Sequence, residues 1–420
     1  MVMLTNTGPA TFLRNAYRAQ EALEMQKQIT SNILLTNLYQ RARTTARGVT
    51  INDVGRVVPG YTLYTSGDEP VARLITLDGR IAHEWRRPYS TVWDNTAAVK
   101  NPQPDRLIYM TNARLFPNGD LLVIYISAGD TPWGYGMAKL DKDSNVLWTY
   151  LDHTHHDLDV APDGRIFTLV NEFTSRDLSG ADYLDKPWLD DSVVILSPDG
   201  KPLKKVSLTD ALAHSPYSAL MLMLRYFSLG DPLHTNTIEY IDAEKARNFP
   251  YGKVGDVLVS FRDLSVIAVV DVERGVVTWA TTGPWLRQHN PSILPNGDIL
   301  LFDNSGDFRP RNNSRVFEFD PKTMAVKWTY SGTKDHSFES LLRSQAQRLP
   351  NGDTLITESD GGRLFEVTPS GEIVWEFVNP ARVGKNNEVI PVVSVGERID
   401  PTTLTPEFQQ SLEAVAAPGE

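Results

Sequence analysis

Three short segments of the chain set a histidine at the start of an apolar strand pattern: THHDLDV with His155 and His156, LHTNTIEY with His234, and QHNPSIL with His289. His156 and His289 each lie six residues before a turn proline, Pro162 and Pro295, and His234 takes the matching place in a degenerate copy. Three of the eight histidines at one repeat position predict convergence on a single point. A neutral imidazole there can attack an electrophile or move a proton. Arg262, in LVSFRDLS after the strand that follows His234, offers a planar fork of donors that suits a tetrahedral oxyanion. The competing reading of Arg262 is a surface ion pair with Asp263. His155 faces either the same site or the opposite side of its strand. Asp157, Asn236 and Asn290 are candidate orienting partners, equally suited to turn hydrogen bonds. Glu172, Asp303 and Glu358 follow other second strands and point either inward or into blade-to-blade hydrogen bonds. His83, His153, His214 and His336 fall outside the pattern and are expected to be structural.

Two chemistries fit such a cluster. A histidine group with a carboxylate can bind Zn, Cu or Fe; alternatively, one imidazole acts as a nucleophile while cationic neighbours hold an anion. The chain has no cysteine, which removes disulfides, thiolate metal sites, Fe–S clusters and a cysteine nucleophile. There is no P-loop, no dinucleotide glycine fingerprint and no Gly-x-Ser-x-Gly elbow.

The elements that must position these residues come from a repeat. One half-motif is a strand, a Pro-Asn-Gly-Asp type turn and an apolar strand: ARLFPNGDLLVIY, DLDVAPDGRIFTLV, PSILPNGDILLF and AQRLPNGDTLITE, with NTIEYI and GDVLVSF as the degenerate copy. The proline presets φ, Asn or Asp tolerates the left-handed region, and Gly supplies positive φ, so each reads as a tight hairpin. The other half-motif is an apolar strand, a polar turn and a strand closing on Trp85, Trp148, Trp279, Trp328 or Trp375, with VVILSPDGKPLKKV as a sixth copy lacking the Trp. Two hairpins make a four-stranded antiparallel sheet, and sheets repeated every 45 to 55 residues (Pro117 to Pro162, Pro295 to Pro350) read as propeller blades. The fold expected is all-β, a six-bladed β-propeller of four-stranded antiparallel blades. The missing first half is expected from the apolar run Val389 to Val395 pairing with strands such as Tyr61 to Thr65, which closes the ring.

The expected organisation is an N-terminal helical extension over 1–50, a propeller over 56–395 and a C-terminal tail over 396–420. The extension has its helical pattern over 10–46, and the tail from Glu397 is expected to be a loose end. An insertion at about 207–230, ALAHSPYSALMLMLRYFSLGD, is apolar enough for a lid or a subunit contact. A homo-oligomer through that insertion or the N-terminal helix is the expected assembly, if one forms. With 52 acidic against 41 basic residues the net charge is -11, which argues against a nucleic-acid or anionic-membrane partner. No stretch is long and apolar enough for a transmembrane helix, and the first residues do not read as a signal peptide.

The ordered set His-His-Asp, His-x-Asn, Ser-x-Arg and Gln-His before a Pro-Asn-Gly-Asp turn resembles the bacterial arylsulfate sulfotransferases, which are six-bladed propellers. The likeness runs from about Gly60 to about Pro380. It implies that a channel histidine takes the sulfuryl group from an aryl sulfate, holds it as a sulfohistidine and passes it to a phenolic acceptor. His289 matches the nucleophile, His234 and Asn236 the His-x-Asn pair, Arg262 the sulfate-binding arginine and His156 the remaining histidine. His155 and Asn236 are expected to contact substrate. The resemblance further implies no 3′-phosphoadenosine cofactor and no metal, and an exported or periplasmic setting. The runner-up readings are another enzyme at the same mouth, metal-dependent or lyase-like, and a non-catalytic propeller that binds a ligand or partner.

Overall fold

The computed structural model describes residues 36–178, 180–226, 230–306, 314–333 and 336–416. Six four-stranded antiparallel sheets form the expected ring. Blade 2 spans Ile108–Tyr150, blade 3 Thr154–Ser207, blade 4 Thr235–Thr282, blade 5 His289–Tyr330 and blade 6 Gln345–Val378. Blade 1 holds Tyr61–Ser66, Val71–Ile75 and Ile81–Arg86, and its innermost strand is Val393–Ile399 from the other end of the chain. Closure therefore occurs as expected, with Val395 opposite Thr65 and Ile399 opposite Tyr61. The apolar run itself splits: Val389–Pro391 pairs instead with Tyr39–Arg41 in a separate two-stranded sheet.

In each blade the innermost strand borders the central channel and leaves one edge without a strand partner. Polar side chains of neighbouring blades meet those edges. Asn112 of blade 2 donates to the His156 carbonyl (3.2 Å). Asp157 and Asp159 of blade 3 accept from the amides of Ile238 (3.0 Å) and Tyr240 (2.8 Å). Glu239 of blade 4 accepts from the amide of Ile293 (2.9 Å), and Asn290 of blade 5 from that of Ala346 (3.0 Å). Gln347 of blade 6 accepts from the amide of Arg398 in blade 1 (2.7 Å), and Glu397 pairs with Arg114 of blade 2 (3.4 Å). Buried backbone groups that would otherwise be costly are satisfied in this way from blade 2 round to blade 1, and the ion pair joins blade 1 to blade 2.

The repeated tryptophans latch the outer strands to the next blade. Trp85 Nε1 donates to the Gly119 carbonyl (3.0 Å), Trp328 Nε1 to Pro369 (2.9 Å) and Trp375 Nε1 to Leu77 (2.9 Å), each acceptor lying in a hairpin turn of the following blade. Gly200 completes a similar contact, because a Cβ there would lie 2.4 Å from the Trp148 ring.

Three expectations change. The helical pattern over 10–46 falls largely outside the described residues, and where it is described, Tyr39–Arg41 is a strand; Gly48–Asn52 adds a fifth strand to blade 6. The C-terminal residues are not a loose end: α3 covers Pro406–Ala416, and Leu404, Phe408 and Leu412, four residues apart, bury one face against blade 1. The propeller's last strand also continues past 395 to Ile399. The insertion starts with α1, Leu208–Ala213, capped by the Ser207 hydroxyl accepting from the Asp210 amide. With Met221 and Leu224 from a following 3-10 helix, its Leu208, Ala211 and Leu212 are buried in the core shared by blades 3 and 4, so it is packed there as a wedge and not as a lid. A second six-residue helix, α2, Ala243–Asn248, lies in the degenerate hairpin of blade 4.

Trp375 is fully buried and Trp328 only half-buried. Trp375→Ala is therefore expected to cost about 3–5 kcal/mol in denaturant unfolding, and Trp328→Ala clearly less.

Candidate active site

The inner strands of blades 3, 4 and 5 are each irregular where the histidines lie, between His155 and Leu158, Thr235 and Thr237, and His289 and Ser292. His156 (φ 54°), His234 (φ 48°) and Asn290 (φ 48°) adopt left-handed backbone, a sparsely populated region that concentrates at functional sites. These bulges correct the simple repeat count. His289 faces Phe302 and His155, not His156, faces the corresponding Leu169, while the His234 carbonyl lies two steps farther out, opposite the Arg262 amide. A bulge adds a residue and re-aims the side chains beside it. Convergence is nevertheless achieved: His156, His234, His289 and Arg262 all line one cavity of about 240 Å³ at the channel mouth, with Tyr109, Trp133 and Arg343. A constriction of about 50 Å³, lined by Thr111, His156, Asn236, His289 and Ser344 among others, lies beneath it. A larger cavity of about 640 Å³ occupies the channel farther along and contains no histidine.

His289 is 7% exposed, and its Nδ1 lies 2.6 Å from Asn304 Oδ1. The Asn304 amide nitrogen donates to the carbonyls of Ser340 and Arg343, both at 2.9 Å, so its oxygen must be the atom facing the ring. His289 Nδ1 is thus the donor, and Nε2 is left as the unprotonated, nucleophilic nitrogen. Burial, with the Arg262 and His234 charges, lowers the His289 pKa to about 3 even though the Asn304 bond raises it.

His234 Nδ1 pairs with Asp231 Oδ2 at 2.5 Å. Burial alone would pull this imidazole down, but Asp231 more than offsets it and the pKa is raised. His156 is held well below the usual imidazole value by burial and by the neighbouring histidines and Arg262. The His156 and His234 rings are 5.3 Å apart, and Trp133 packs 5.3 Å from His234 and 5.9 Å from His156. Arg262 does pair with Asp263 (2.7 Å), yet its side chain lines the cavity, and its buried Nε has no hydrogen-bond partner among the described residues. An unpaired guanidinium donor beside histidines is suited to an anion.

His155 does not line the cavity. It is 1% exposed and packed behind His156, so the expected substrate contact is not what the fold places there. Asn236 lines the constriction, with its amide committed to the Gln288 carbonyl (2.8 Å). Asp157 and Asn290 serve the inter-blade ring and bond to none of the three mouth histidines; burial raises the Asp157 pKa to about 7. Glu172, Asp303 and Glu358 form ion pairs with Lys205, Arg315 and Arg363. His83, His153 and His214 bond to backbone carbonyls. The sequence reading missed Asn304, Asp231, Trp133 and Arg343. One signal was available for Asn304, which directly follows the second strand of blade 5, Ile299–Asp303, as Arg262 directly follows Val257–Phe261 in blade 4. Among the described residues, no group of three or more His, Cys, Asp or Glu side chains is arranged to hold a metal ion.

The family model described as Arylsulfotransferase (ASST) matches residues 113–380, which run from within the first strand of blade 2 to the end of blade 6 and hold every residue of this cavity except Asn37, Tyr109 and Thr111. The chain belongs to the arylsulfotransferase family. That membership supports aryl sulfate sulfotransferase activity in general terms. No curated protein matches the chain significantly. Among solved structures, a Bacteroides caccae protein of unknown function shares the fold at a TM-score of 0.50 and 13% identity, covering 80% of this chain and 99% of its own. A catalytically inactive virginiamycin B lyase from Staphylococcus aureus with quinupristin is 10% identical at a TM-score of 0.39, covering 81% and 88%. No helix among the described residues is long and apolar enough to cross a membrane, and the family fits small-molecule substrates.

The unfolded chain protonates His289 near pH 6.5, whereas the folded protein resists until about pH 3, so stability falls as pH drops between those values. Denaturant unfolding between pH 7 and pH 4 should show about 3 kcal/mol less acid destabilisation for His289→Asn than for the parent.

Proposed function

We propose that the cavity transfers a sulfuryl group from an aryl sulfate to a phenolic acceptor through a sulfohistidine on His289, without 3′-phosphoadenosine phosphosulfate and without a metal. The observation that carries this reading is the Asn304 carboxamide, which commits His289 Nδ1 as donor and leaves Nε2 free to attack beside the unpaired Arg262 Nε. In the first half-reaction Nε2 bonds to sulfur as the bond from sulfur to the aryl oxygen breaks. The leaving phenolate takes a proton from a neighbouring histidine. In the second, the acceptor oxygen bonds to sulfur, the nitrogen–sulfur bond breaks, and the acceptor proton returns to that histidine.

Sulfate esters are poor electrophiles because their oxygens repel nucleophiles. Arg262 and a protonated His234 offset that charge, and a site already holding fixed cations needs no reorganisation as charge shifts toward the leaving oxygen. Tyr109 and Trp133 give the cavity the apolar wall that an aryl group requires. Asn236 shapes the constriction and supports the backbone at Gln288, directly before the nucleophile.

Incubation with 4-nitrophenyl sulfate should release one equivalent of nitrophenol in a burst and leave a sulfuryl adduct on His289 in mass spectrometry, with ping-pong kinetics once acceptor is added. His289→Asn should abolish the adduct and His336→Asn, at an exposed position, should retain it. An adduct on another residue, or nitrophenol release with none, would overturn the reading.

A further inference from the structure

Two buried groups behind the cavity are not used by the transfer step. His155 Nδ1 lies 2.7 Å from His156 Nδ1, so one ring must donate to the other. On its far side, His155 Nε2 has no hydrogen-bond partner among the described residues, and Asp191 Oδ1 stands 3.6 Å away, an ion-pair distance. His155 and Asp191 are 1% and 2% exposed, and neither lines the cavity. Asp191 is itself fixed, its other oxygen accepting from the Thr235 amide at 2.6 Å. A carboxylate, two imidazoles and the cavity are therefore aligned in one chain.

We propose that Asp191 and His155 form a buried proton relay that makes His156 the acid–base group of sulfuryl transfer, while His234, clamped by Asp231, stays a fixed cation. This assignment rests on the sulfuryl-transfer reading above. In the loaded state His155 carries protons on both nitrogens against the Asp191 carboxylate and donates through Nδ1 to His156 Nδ1. His156 is then neutral and presents Nε2–H to the cavity. When the aryl oxygen leaves sulfur, that proton passes to the phenolate and the His155 Nδ1 proton moves to His156 Nδ1. His155 retains its Nε2 proton, Asp191 remains ionised, and the negative charge of the phenolate has been transferred to the chain. An acceptor phenol gives its proton to His156 Nε2 and drives the same shifts in reverse.

The physical gain is in where the positive charge sits. Charging His156 places a third cation beside Arg262 and His234, and the field of those neighbours opposes it. Moving the charge one ring back sets it against Asp191, whose carboxyl the His155 contact helps to hold below its usual value despite burial. His155 and Asp191 are accordingly positioning residues that act through His156, and not catalytic contacts themselves.

The relay predicts a defect that depends on the leaving group. Single-turnover phenol release should be measured for a series of aryl sulfates from 4-nitrophenyl to unsubstituted phenyl, in the parent and in Asp191→Asn and His155→Gln. Asparagine keeps an oxygen for the Thr235 amide, and the glutamine variant provides an independent test should the first fail to fold. The loss should grow as the leaving phenol becomes more basic, reaching roughly 10²-fold or more for phenyl sulfate. An equal loss for all donors, no loss, or the steep dependence appearing in Asp231→Asn instead would overturn the relay. The adduct on His289 separates the two ideas: if the variants form it with 4-nitrophenyl sulfate but show no leaving-group dependence, the relay fails and sulfuryl transfer stands. If the parent forms no adduct, both fall.

Discussion

The free inner edge of each blade is the constraint on which the rest of this molecule depends. Six strands border one narrow channel, and each presents backbone donors and acceptors that no further strand can reach. The solution is a set of short polar side chains, among them Asp157, Asp159, Glu239, Asn290 and Gln347, that cross to the neighbouring blade. Carboxylates and carboxamides alike accept backbone amides there, and burial raises the pKa of both Asp157 and Glu239 to about 7. Blade spacing around the axis is thus set by hydrogen bonds a few ångströms long, and the outer tryptophans set it again at the periphery.

The cavity inherits its precision from that ring. Asp157 and Asn290 each follow a mouth histidine directly, so the bonds that join the blades also hold the backbone of His156 and His289. Where the strand bulges, the chain leaves the ladder and turns its side chains toward the mouth, at the expense of left-handed backbone at His156, His234 and Asn290. Preorganisation of this kind is what a site with fixed charges needs, because the groups must already be in place when charge develops on the substrate.

Within the cavity, one residue type is driven into different states by its neighbours. His289 is kept neutral by burial and by the Arg262 and His234 charges, His234 is raised by a carboxylate against its burial, and His156 is depressed by burial and by the histidines and Arg262 around it. A chain without cysteine can in this way assemble a nucleophile, a fixed cation and a proton carrier from imidazole alone, with Arg262 supplying permanent charge.

The propeller, its closure and the gathering of His156, His234, His289 and Arg262 were legible in the sequence, because turn residues, strand alternation and the repeated Trp are local patterns that one blade imposes on every copy. What the repeat count got wrong was register, since the bulges of blades 3 and 5 differ by a residue and exchange the places of His155 and His156. The C-terminal helix was also hidden, since three apolar residues spaced by four among polar neighbours are a weak signal until blade 1 buries them. Asp231 and Asp191 were beyond reach because their partners depend on contacts between distant strands or on the local turn of a loop. The sequence by itself determined that His156, His234, His289 and Arg262 gather at the channel mouth; the tertiary structure decided which nitrogen of His289 carries the proton. That second choice is electrostatic and directional, set by groups two to four ångströms away, and such distances exist only after the ring has closed.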